Sequence, residues 1–300
     1  MSRGWRVIDL INFEGQIKTS RGQIVVDSNG LDRVSLPLAD VAVVLVGANC
    51  SISSGALNYL GKQDAALLVC DWRVVPISGL YPWSAHTRVA ARHFAQSNLT
   101  RPRAKNAWMQ LIKAKIAGQA ATLAQHDQTG AKYLTGLATQ VKSGDPDNLE
   151  AAAARWYWAR LFQDTSFKRD QDSLDSLNSM LNYGYGILRG FGIRAVTSAG
   201  LSSPLGVFHH NRSNFFNLVE DLIEPFRPAI DWVVASQKPT ASLGDQAVKH
   251  ALVAAATQEF TDDGLGIPAE LDDLAQRYGR YVESEAGLFS VPTWKPPKSS

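Results

Sequence analysis

The chain has 300 residues, of which 45% are hydrophobic, which is enough to bury at least one sizeable core. Its formal net charge of +2 indicates no particular partner. No apolar run approaches the roughly 18 residues that span a bilayer, and charged residues interrupt the first apolar segment, which argues against a membrane span and a signal peptide. Cys50 and Cys70 stand alone, as is typical of a reduced cytoplasm, so we expect a soluble, cytoplasmic protein.

The first part of the chain predicts a small β-rich domain over residues 1–80. The continuous apolar run over 41–46 is typical of a strand buried on both faces. Residues 28–30 read SNG, a hairpin-turn signal, and 53–61 predicts one short helix. Strands are expected over 5–9, 23–27, 34–38, 41–46, 65–70 and 72–77.

After residue 80 the apolar residues recur at helical spacing, which predicts a larger all-helical domain over 81–290. The fold class expected is therefore α+β. The tail over 291–300 carries three prolines, and we expect it to be disordered. Helices are expected over 86–98, 102–126, 129–142, 148–163, 171–189, 214–224, 228–236, 244–260 and 269–282.

A basic stretch without acidic residues opens the helical part. Residues 81–150 carry nine basic and four acidic side chains, and no acidic residue occurs between Asp71 and Asp127. Such a stretch is typical of polyanion binding, although a solvated helix face is the alternative. The candidate DNA-binding residues in this gap are Arg73, Arg88, Arg92, Arg101, Arg103, Lys105, Lys113 and Lys115.

Glu150 is the first acidic candidate for chemistry, at the start of an alanine-rich helix. Its spacing favours a structural role, because Asp147 and Glu150 are placed like the two ends of a capping box. On spacing alone, Glu150 is therefore a weak candidate for catalysis.

The segment over 206–228 is the second candidate. On a helix, its apolar residues share one face, and Asp221 and Glu224 lie close together on the other. Two neighbouring carboxylates repel unless a divalent cation, Arg227 or water lies between them. His209 or His210 could add an imidazole, and such a ligand set suits Mg²⁺ or Mn²⁺. A solvated acidic helix face is the alternative.

Three sequence blocks, in order, resemble the CRISPR-associated adaptation integrase family, the universal first protein of those systems. The strongest block reads GVFHHNR at 206–212 and FNLVEDLIEPFRP at 216–228. The second combines LE at 149–150, ARWYW at 154–158 and FKR at 167–169, and the third reads NSMLNYGY at 178–185. The short chain and the histidine pair are most similar to the type II versions of the family.

The resemblance implies a metal-dependent endonuclease that inserts prespacer DNA into a repeat array by attack of a 3′-hydroxyl on a phosphodiester. It assigns the Mg²⁺ or Mn²⁺ to Glu150, His210 and Glu224, with Asp221 close by. His209 is the alternative histidine ligand, and direct contact of Asp221 with metal stays open, as does the number of metal ions.

The same resemblance implies partners. These are prespacer and leader-repeat DNA, a second copy of the chain joined through the β-rich domain, a small adaptation subunit that bridges two such dimers, and in type II systems the effector nuclease. Two other functions are compatible with the residues: a structure-selective nuclease acting on branched DNA, and a non-catalytic DNA-binding scaffold.

Overall fold

The computed structural model describes residues 6–28, 33–37, 41–71, 76–82, 86–262, 264–284 and 287–297. A strand-rich N-terminal part ends at Leu80, and a mostly helical part begins at Val89, which confirms the expected α+β class. No helix in these ranges is long and apolar enough to cross a membrane. The predicted turn at 29–30, the predicted strand residues 5, 38 and 72–75, and the DNA-binding candidate Arg73 lie outside the described residues.

Eight strands form two four-stranded sheets. One sheet has the order β1-β5-β7-β8 and the other the order β4-β3-β2-β6. The strands are β1 (Arg6–Leu10), β2 (Gly15–Ser20), β3 (Gln23–Asp27), β4 (Val34–Pro37), β5 (Val41–Val46), β6 (Cys50–Ile52), β7 (Ala66–Cys70) and β8 (Pro76–Leu80).

Strand β5 positions the two parts of the molecule against each other. It pairs in parallel with β1 and β7, and all six of its residues are buried, as its apolar run predicts. Val43 and Leu45 belong to the core shared with the helices, whereas Val44 and Val46 belong to the core between the sheets. Because strand side chains alternate between faces, this one strand serves both cores.

Strands β2 and β6 are absent from the sequence-based expectation. Strand β2 has one buried residue, Ile17, and β6 is only three residues long, so neither carries the alternation that predicts a strand. Strand β2 is defined by its pairing, antiparallel to β3 and parallel to β6. Tertiary pairing, not local propensity, makes these segments strands.

Ten α-helices follow or interrupt the strands in the described ranges. They are α1 (Ser54–Lys62), α2 (Val89–Ser97), α3 (Arg101–Leu123), α4 (Gln128–Gln140), α5 (Leu149–Leu161), α6 (Ser176–Ser198), α7 (Asn217–Ile223), α8 (Arg227–Ala235), α9 (Gln246–Ala255) and α10 (Ile267–Glu283). A 3₁₀ turn over Glu224–Phe226 joins α7 to α8. Helix α3 packs against α4, α5 and the 3₁₀ turn, and α6 packs against α7, α8 and α10.

Helix α6 continues past the predicted end at residue 189 to Ser198. Its glycines argue against a long helix on propensity, but they allow close packing. A Cβ atom at Gly192 would lie 2.7 Å from Val219 Cγ1 and 2.9 Å from Ile223 Cγ2. The contact with α7 therefore requires glycine there, and it brings α6 against the helix that leads to Glu224.

The C-terminal tail corrects a prediction. Disorder was expected over 291–300, but Trp294 is fully buried among the described residues 291–297. Its Nε1 donates a hydrogen bond of 3.2 Å to Thr122 Oγ1, and its ring lies 5.8 Å from that of Phe260. The indole holds this segment on the helical core despite the neighbouring prolines, because burying an aromatic side chain outweighs the ordering of a short segment.

Candidate active site

Glu150 lies at the first turn of α5, and its position is fixed by Asp145. The Asp145 carboxylate accepts hydrogen bonds from the backbone N–H groups of Leu149 and Glu150, at 2.9 and 3.0 Å. The expected capping box is therefore wrong, because Asp145 caps this helix and Asp147 instead lies 3.4 Å from Lys142 at the surface. The Glu150 side chain is left available for contacts with other elements.

Asp221, on α7, is fully buried and organises the loop before it. Its Oδ2 accepts the N–H groups of Val207 and Phe208 at 2.5 and 3.0 Å, and its Oδ1 lies 2.6 Å from His209 Nδ1. A carboxylate with these partners has little capacity left for a metal ion. Asp221 therefore acts as a positioning residue for His209.

The two histidines have different environments. His209 is partly buried and lines a cavity that Lys115 and Glu224 also line, whereas His210 is exposed and does not line it. The hydrogen bond with Asp221 raises the pKa of His209, and burial opposes this. Since Asp221 engages Nδ1, Nε2 is the nitrogen of His209 left for a ligand. The geometry thus favours His209 over the predicted His210 as the imidazole of the site.

Glu224 lies on the 3₁₀ turn, where it is buried between two cations. Arg227 Nε donates to Glu224 Oε1 at 3.0 Å, and Lys115 Nζ lies 2.6 Å from Glu224 Oε2. Burial alone would raise the pKa of Glu224, but Arg227 and Lys115 lower it to about 2. Glu224 is therefore ionised at neutral pH.

Lys115, on α3, joins the two glutamates. Its Nζ lies 2.6 Å from Glu150 Oε1 and 2.6 Å from Glu224 Oε2. The contact with Glu150 has hydrogen-bond geometry, whereas Glu224 Oε2 is buried without a hydrogen-bond partner among the described residues. Two carboxylates from separate elements thus converge on one position that a cation occupies.

A cavity of about 350 Å³ opens beside these groups. Its walls include Lys115, His209 and Glu224, and three arginines that the composition of the basic stretch did not reveal: Arg169, Arg189 and Arg227. Arg189 and Arg227 pair with Glu220, at 2.6 and 3.0 Å. Arg169 donates instead to the neutral side chains of Asn178 and Asn182, at 2.8 and 2.6 Å. The cavity therefore joins carboxylates to guanidinium groups that can bind an anion.

A buried acid supports the cavity wall. Asp231, on α8, accepts hydrogen bonds from the hydroxyl groups of Tyr157 and Tyr185. Burial raises the pKa of Asp231 to about 7, although the two hydroxyl groups and nearby arginines lower it. This cluster ties α5, α6 and α8 together beneath the site.

The basic stretch has a divided role, and its prediction as a DNA-binding surface needs correction. Arg92 is buried and bonded to Glu283, and Arg103 donates to the carbonyl oxygens of Tyr281 and Ser284, so these guanidinium groups attach α2 and α3 to α10. Arg88 is exposed but lies 2.7 Å from Glu283. Lys115 is part of the site. The remaining described candidates, which take part in no ion pair within the described ranges, are Arg101, Lys105 and Lys113.

The predicted metal-binding residues are only partly brought together. Glu150 and Glu224 meet at Lys115, His209 lies in the same cavity, and Asp221 and His210 do not join them. Within the described part of the chain, no three His, Cys, Asp or Glu side chains stand in a metal-binding arrangement. The reason is visible in the contacts: Lys115 stands between the glutamates, and His209 is held by Asp221.

The family model described as CRISPR associated protein Cas1 matches residues 10–247. A CRISPR-associated endonuclease Cas1 from Neisseria meningitidis serogroup C is 34% identical over 235 residues, which cover 77% of this chain and 75% of the relative. The chain belongs to the Cas1 family. The blocks at 149–169 and 206–228 that resemble this family include several residues that line the cavity, among them Arg169, His209 and Glu224.

Solved structures share the fold of this Cas1-family chain. A casposase bound to integration product has a TM-score of 0.78 at 17% identity, covering 97% of this chain and 94% of the casposase. A Cas6-RT-Cas1–Cas2 complex has a TM-score of 0.77 at 18% identity, covering 99% of this chain and 37% of the longer one. At these identities the likeness concerns the fold.

Proposed function

We propose that this Cas1-family chain is a metal-dependent DNA integrase that joins prespacer DNA to a CRISPR repeat. Its role as a DNA endonuclease and integrase of CRISPR adaptation accords with the endonuclease relatives and with the casposase neighbour. The observation that carries the finer proposal is the convergence of Glu150 and Glu224 on one cation position beside His209.

The carboxylates at this position fit a divalent cation once Lys115, whose ammonium now lies between them, has moved away. Glu224 Oε2 is buried without a hydrogen-bond partner among the described residues, and the Lys115 ammonium marks where a positive charge is stabilised. Carboxylate oxygens with one imidazole nitrogen suit Mg²⁺ and Mn²⁺. Glu150, Glu224 and His209 would hold the ion. His209 thus takes the place of His210, which the family resemblance assigns to the ligand set. Asp221 would orient His209 without touching the ion.

The proposed reaction is a transesterification. The 3′-hydroxyl oxygen of the prespacer loses its proton and attacks the phosphorus at the 5′ end of the repeat. The bond from that phosphorus to the 3′ oxygen of the preceding target nucleotide breaks, and this oxygen takes up a proton and leaves as a 3′-hydroxyl. A bound divalent cation would neutralise developing phosphoryl charge and favour ionisation of the attacking hydroxyl. Arg169, whose described hydrogen-bond acceptors are neutral, lines the cavity and would bind a phosphate there.

A strand-joining assay tests this function. Purified chain, Mn²⁺ or Mg²⁺, a duplex with free 3′-hydroxyls and a repeat-containing plasmid should yield joined product. We expect Glu150→Gln and Glu224→Gln each to lower the joining rate on the order of 100-fold or more, with Asp147→Asn, an exposed acid of the same loop, as the matched control.

The outcomes separate the rival functions. Cleavage of branched DNA without joining supports a structure-selective nuclease, and DNA binding that survives in both glutamine variants with no reaction in the wild type supports a scaffold. Joining that is unaffected by either variant contradicts the proposed site.

The proposed partners follow the same reasoning. A partner subunit accords with the Cas1–Cas2 complex among the structural neighbours, and DNA with the casposase bound to integration product. A homodimer built through the β-rich part, a type II system with its effector nuclease, and a cytoplasmic location stay predictions.

For DNA binding, the exposed or half-exposed candidates are Arg101, Lys105 and Lys113. Replacing one phosphate-binding lysine by alanine should reduce the slope of log affinity against log salt by about 0.9.

A further inference from the structure

Lys115 occupies the position that the proposed function assigns to a metal ion. Its ammonium lies 2.6 Å from one carboxylate oxygen of Glu150 and 2.6 Å from one of Glu224, and its side chain is 13% exposed. A Mg²⁺ ion bound by both oxygens would lie somewhat closer to them, at about 2.0–2.1 Å, and would therefore overlap the position of the ammonium group. Since two cations cannot share that space, the lysine and the metal exclude each other.

Glu224 has a second cation that holds it when Lys115 leaves. Arg227 holds Glu224 through Oε1, the oxygen that Lys115 does not approach. Capping by Asp145 fixes the backbone of Glu150, whereas the described partner of its carboxylate is Lys115. When the lysine leaves, Glu224 therefore stays held by Arg227, and the Glu150 carboxylate becomes available to the incoming metal ion.

The neighbouring cavity provides space into which the Lys115 side chain can rotate. Lys115 is itself a lining residue of the cavity of about 350 Å³ that contains His209 and Arg169. Its contacts with Glu150 Oε1 and Glu224 Oε2 are both short ion pairs of 2.6 Å. Rotation of the lysine side chain into the cavity breaks both, and a divalent cation bound by the same two oxygens would replace both.

We infer that Lys115 is a built-in cation that neutralises Glu150 and Glu224 in the metal-free chain and swings into the cavity when a divalent metal binds. This inference rests on the proposed metal site. It implies that metal affinity is reduced by the fraction of molecules in which the lysine fills the site. It also implies that Lys115 stabilises the metal-free chain, since the buried carboxylate of Glu224 and the half-buried carboxylate of Glu150 otherwise face each other without a shared cation.

The test measures Mn²⁺ binding in the absence of DNA, by titration calorimetry at fixed pH and salt. Wild type is compared with Lys115→Met, which keeps the aliphatic stem, and with Lys113→Met, the neighbouring lysine of α3 that takes part in no described ion pair. We expect the Mn²⁺ dissociation constant of Lys115→Met to be about tenfold lower than that of wild type, corresponding to a lysine that fills the site in about nine-tenths of molecules. Lys113→Met should match wild type within about twofold.

A second measurement distinguishes occupancy from simple charge repulsion. Anomalous diffraction from Mn²⁺-soaked wild-type crystals should place the ion between Glu150 and Glu224, with the Lys115 ammonium displaced into the cavity. An ion seen there with Lys115 still bridging both carboxylates overturns the inference, as does an unchanged dissociation constant in Lys115→Met. If that variant does not fold even with Mn²⁺, Lys115→Gln replaces it in both measurements.

Failure of the underlying site has a different signature. If neither wild type nor the lysine variant binds Mn²⁺ at Glu150 and Glu224, the metal site itself is rejected and the inference with it. If wild type binds Mn²⁺ there but Lys115→Met shows no gain, only the role of Lys115 is rejected. Melting temperatures add a readout. Without metal, Lys115→Met should melt at a lower temperature than Lys113→Met, and Mn²⁺ should raise the melting temperature of Lys115→Met more than that of Lys113→Met.

Discussion

His209 Nδ1 lies 2.6 Å from Asp221 Oδ1, and the same buried carboxylate accepts backbone N–H groups from Val207 and Phe208. This arrangement fixes both the ring and the loop that carries it, so the imidazole is held with Nε2 as its remaining nitrogen. His210, the next residue, takes no part in it and is exposed. The two adjacent histidines therefore differ because Asp221 forms a hydrogen bond with His209, whereas His210 takes no part in this arrangement.

The first prediction concerns these histidines. We expect His209→Ala to lower strand joining on the order of 100-fold, because an imidazole of the site is lost, and His210→Ala to leave the rate within about twofold. Asp221→Asn should lower metal affinity by about 10- to 100-fold, as for other residues that orient a ligand. Mn²⁺ titration and the joining assay measure both effects. A larger loss in His210→Ala than in His209→Ala would restore His210 as the functional histidine.

The order of elements was predictable, because hydrophobic periodicity is a local signal. The strand β5 and the helical part were found in this way. The choice between His209 and His210 was not, since it depends on hydrogen bonds to Asp221, which lies 12 residues from His209 in sequence. No local pattern records which of two adjacent side chains faces a cavity.

Long-range ion pairs were equally hidden. Lys115 appeared as one member of a basic stretch, yet it contacts Glu150, 35 residues away, and the still more distant Glu224. The basic stretch predicts that Arg103 binds DNA, but its guanidinium group donates to the carbonyl oxygens of Tyr281 and Ser284. The absence of acidic residues nearby in sequence does not mean that acceptors are absent nearby in space.

The second prediction is that Asp231 makes the free energy of unfolding fall with rising pH. Burial raises the pKa of its carboxyl to about 7, whereas the unfolded chain releases this proton near pH 4. Between these values the folded state binds more protons than the unfolded state, so stability is lost as the pH rises through that window. Asp231→Asn has no such group. Its unfolding free energy relative to wild type should therefore increase by on the order of 3 kcal/mol from pH 5 to pH 8.

Urea unfolding followed by circular dichroism at pH 5 and pH 8 gives the unfolding free energy of Asp231→Asn relative to wild type at each pH, and the change in that difference tests the prediction. The exposed Asp147→Asn variant is the control and should show no relative change. A relative stability of Asp231→Asn that stays constant with pH would mean that Asp231 is already ionised at pH 5 in the folded chain.

The third prediction concerns the C-terminal segment. Trp294 is fully buried, and its Nε1 donates to Thr122 Oγ1, so Trp294→Ala removes a large aromatic contact and leaves a cavity. We expect the free energy of unfolding to fall by about 3–5 kcal/mol. Leu288→Ala is the control from the same region: that side chain is 94% exposed, and its loss should change stability by less than about 0.5 kcal/mol. Equal stability of the two variants would show that the tail does not pack on the core in solution.

The fourth prediction concerns Gly206, which lets the histidine loop approach α7. A Cβ atom there would lie 2.3 Å from the His209 carbonyl oxygen, 2.9 Å from Asn217 Cβ and 3.0 Å from Asp221 Oδ2. The first two contacts are too close for backbone and side chain to coexist, so Gly206→Ala must displace the loop and with it the imidazole. We expect strand joining to fall by about 10- to 100-fold, since small displacements at a reacting centre have effects of this size.

Gly136→Ala is the matched control, because a Cβ atom at that position in α4 would meet nothing within 4 Å. This substitution should stabilise the chain by about 0.5–1 kcal/mol and leave joining unchanged. Circular dichroism establishes that both variants fold, and Mn²⁺ titration shows whether the loss in Gly206→Ala arises at the site. A folded Gly206→Ala variant with normal joining and normal Mn²⁺ affinity would show that the loop tolerates the methyl group, and that Asp221 does not need its present distance from the loop to position His209.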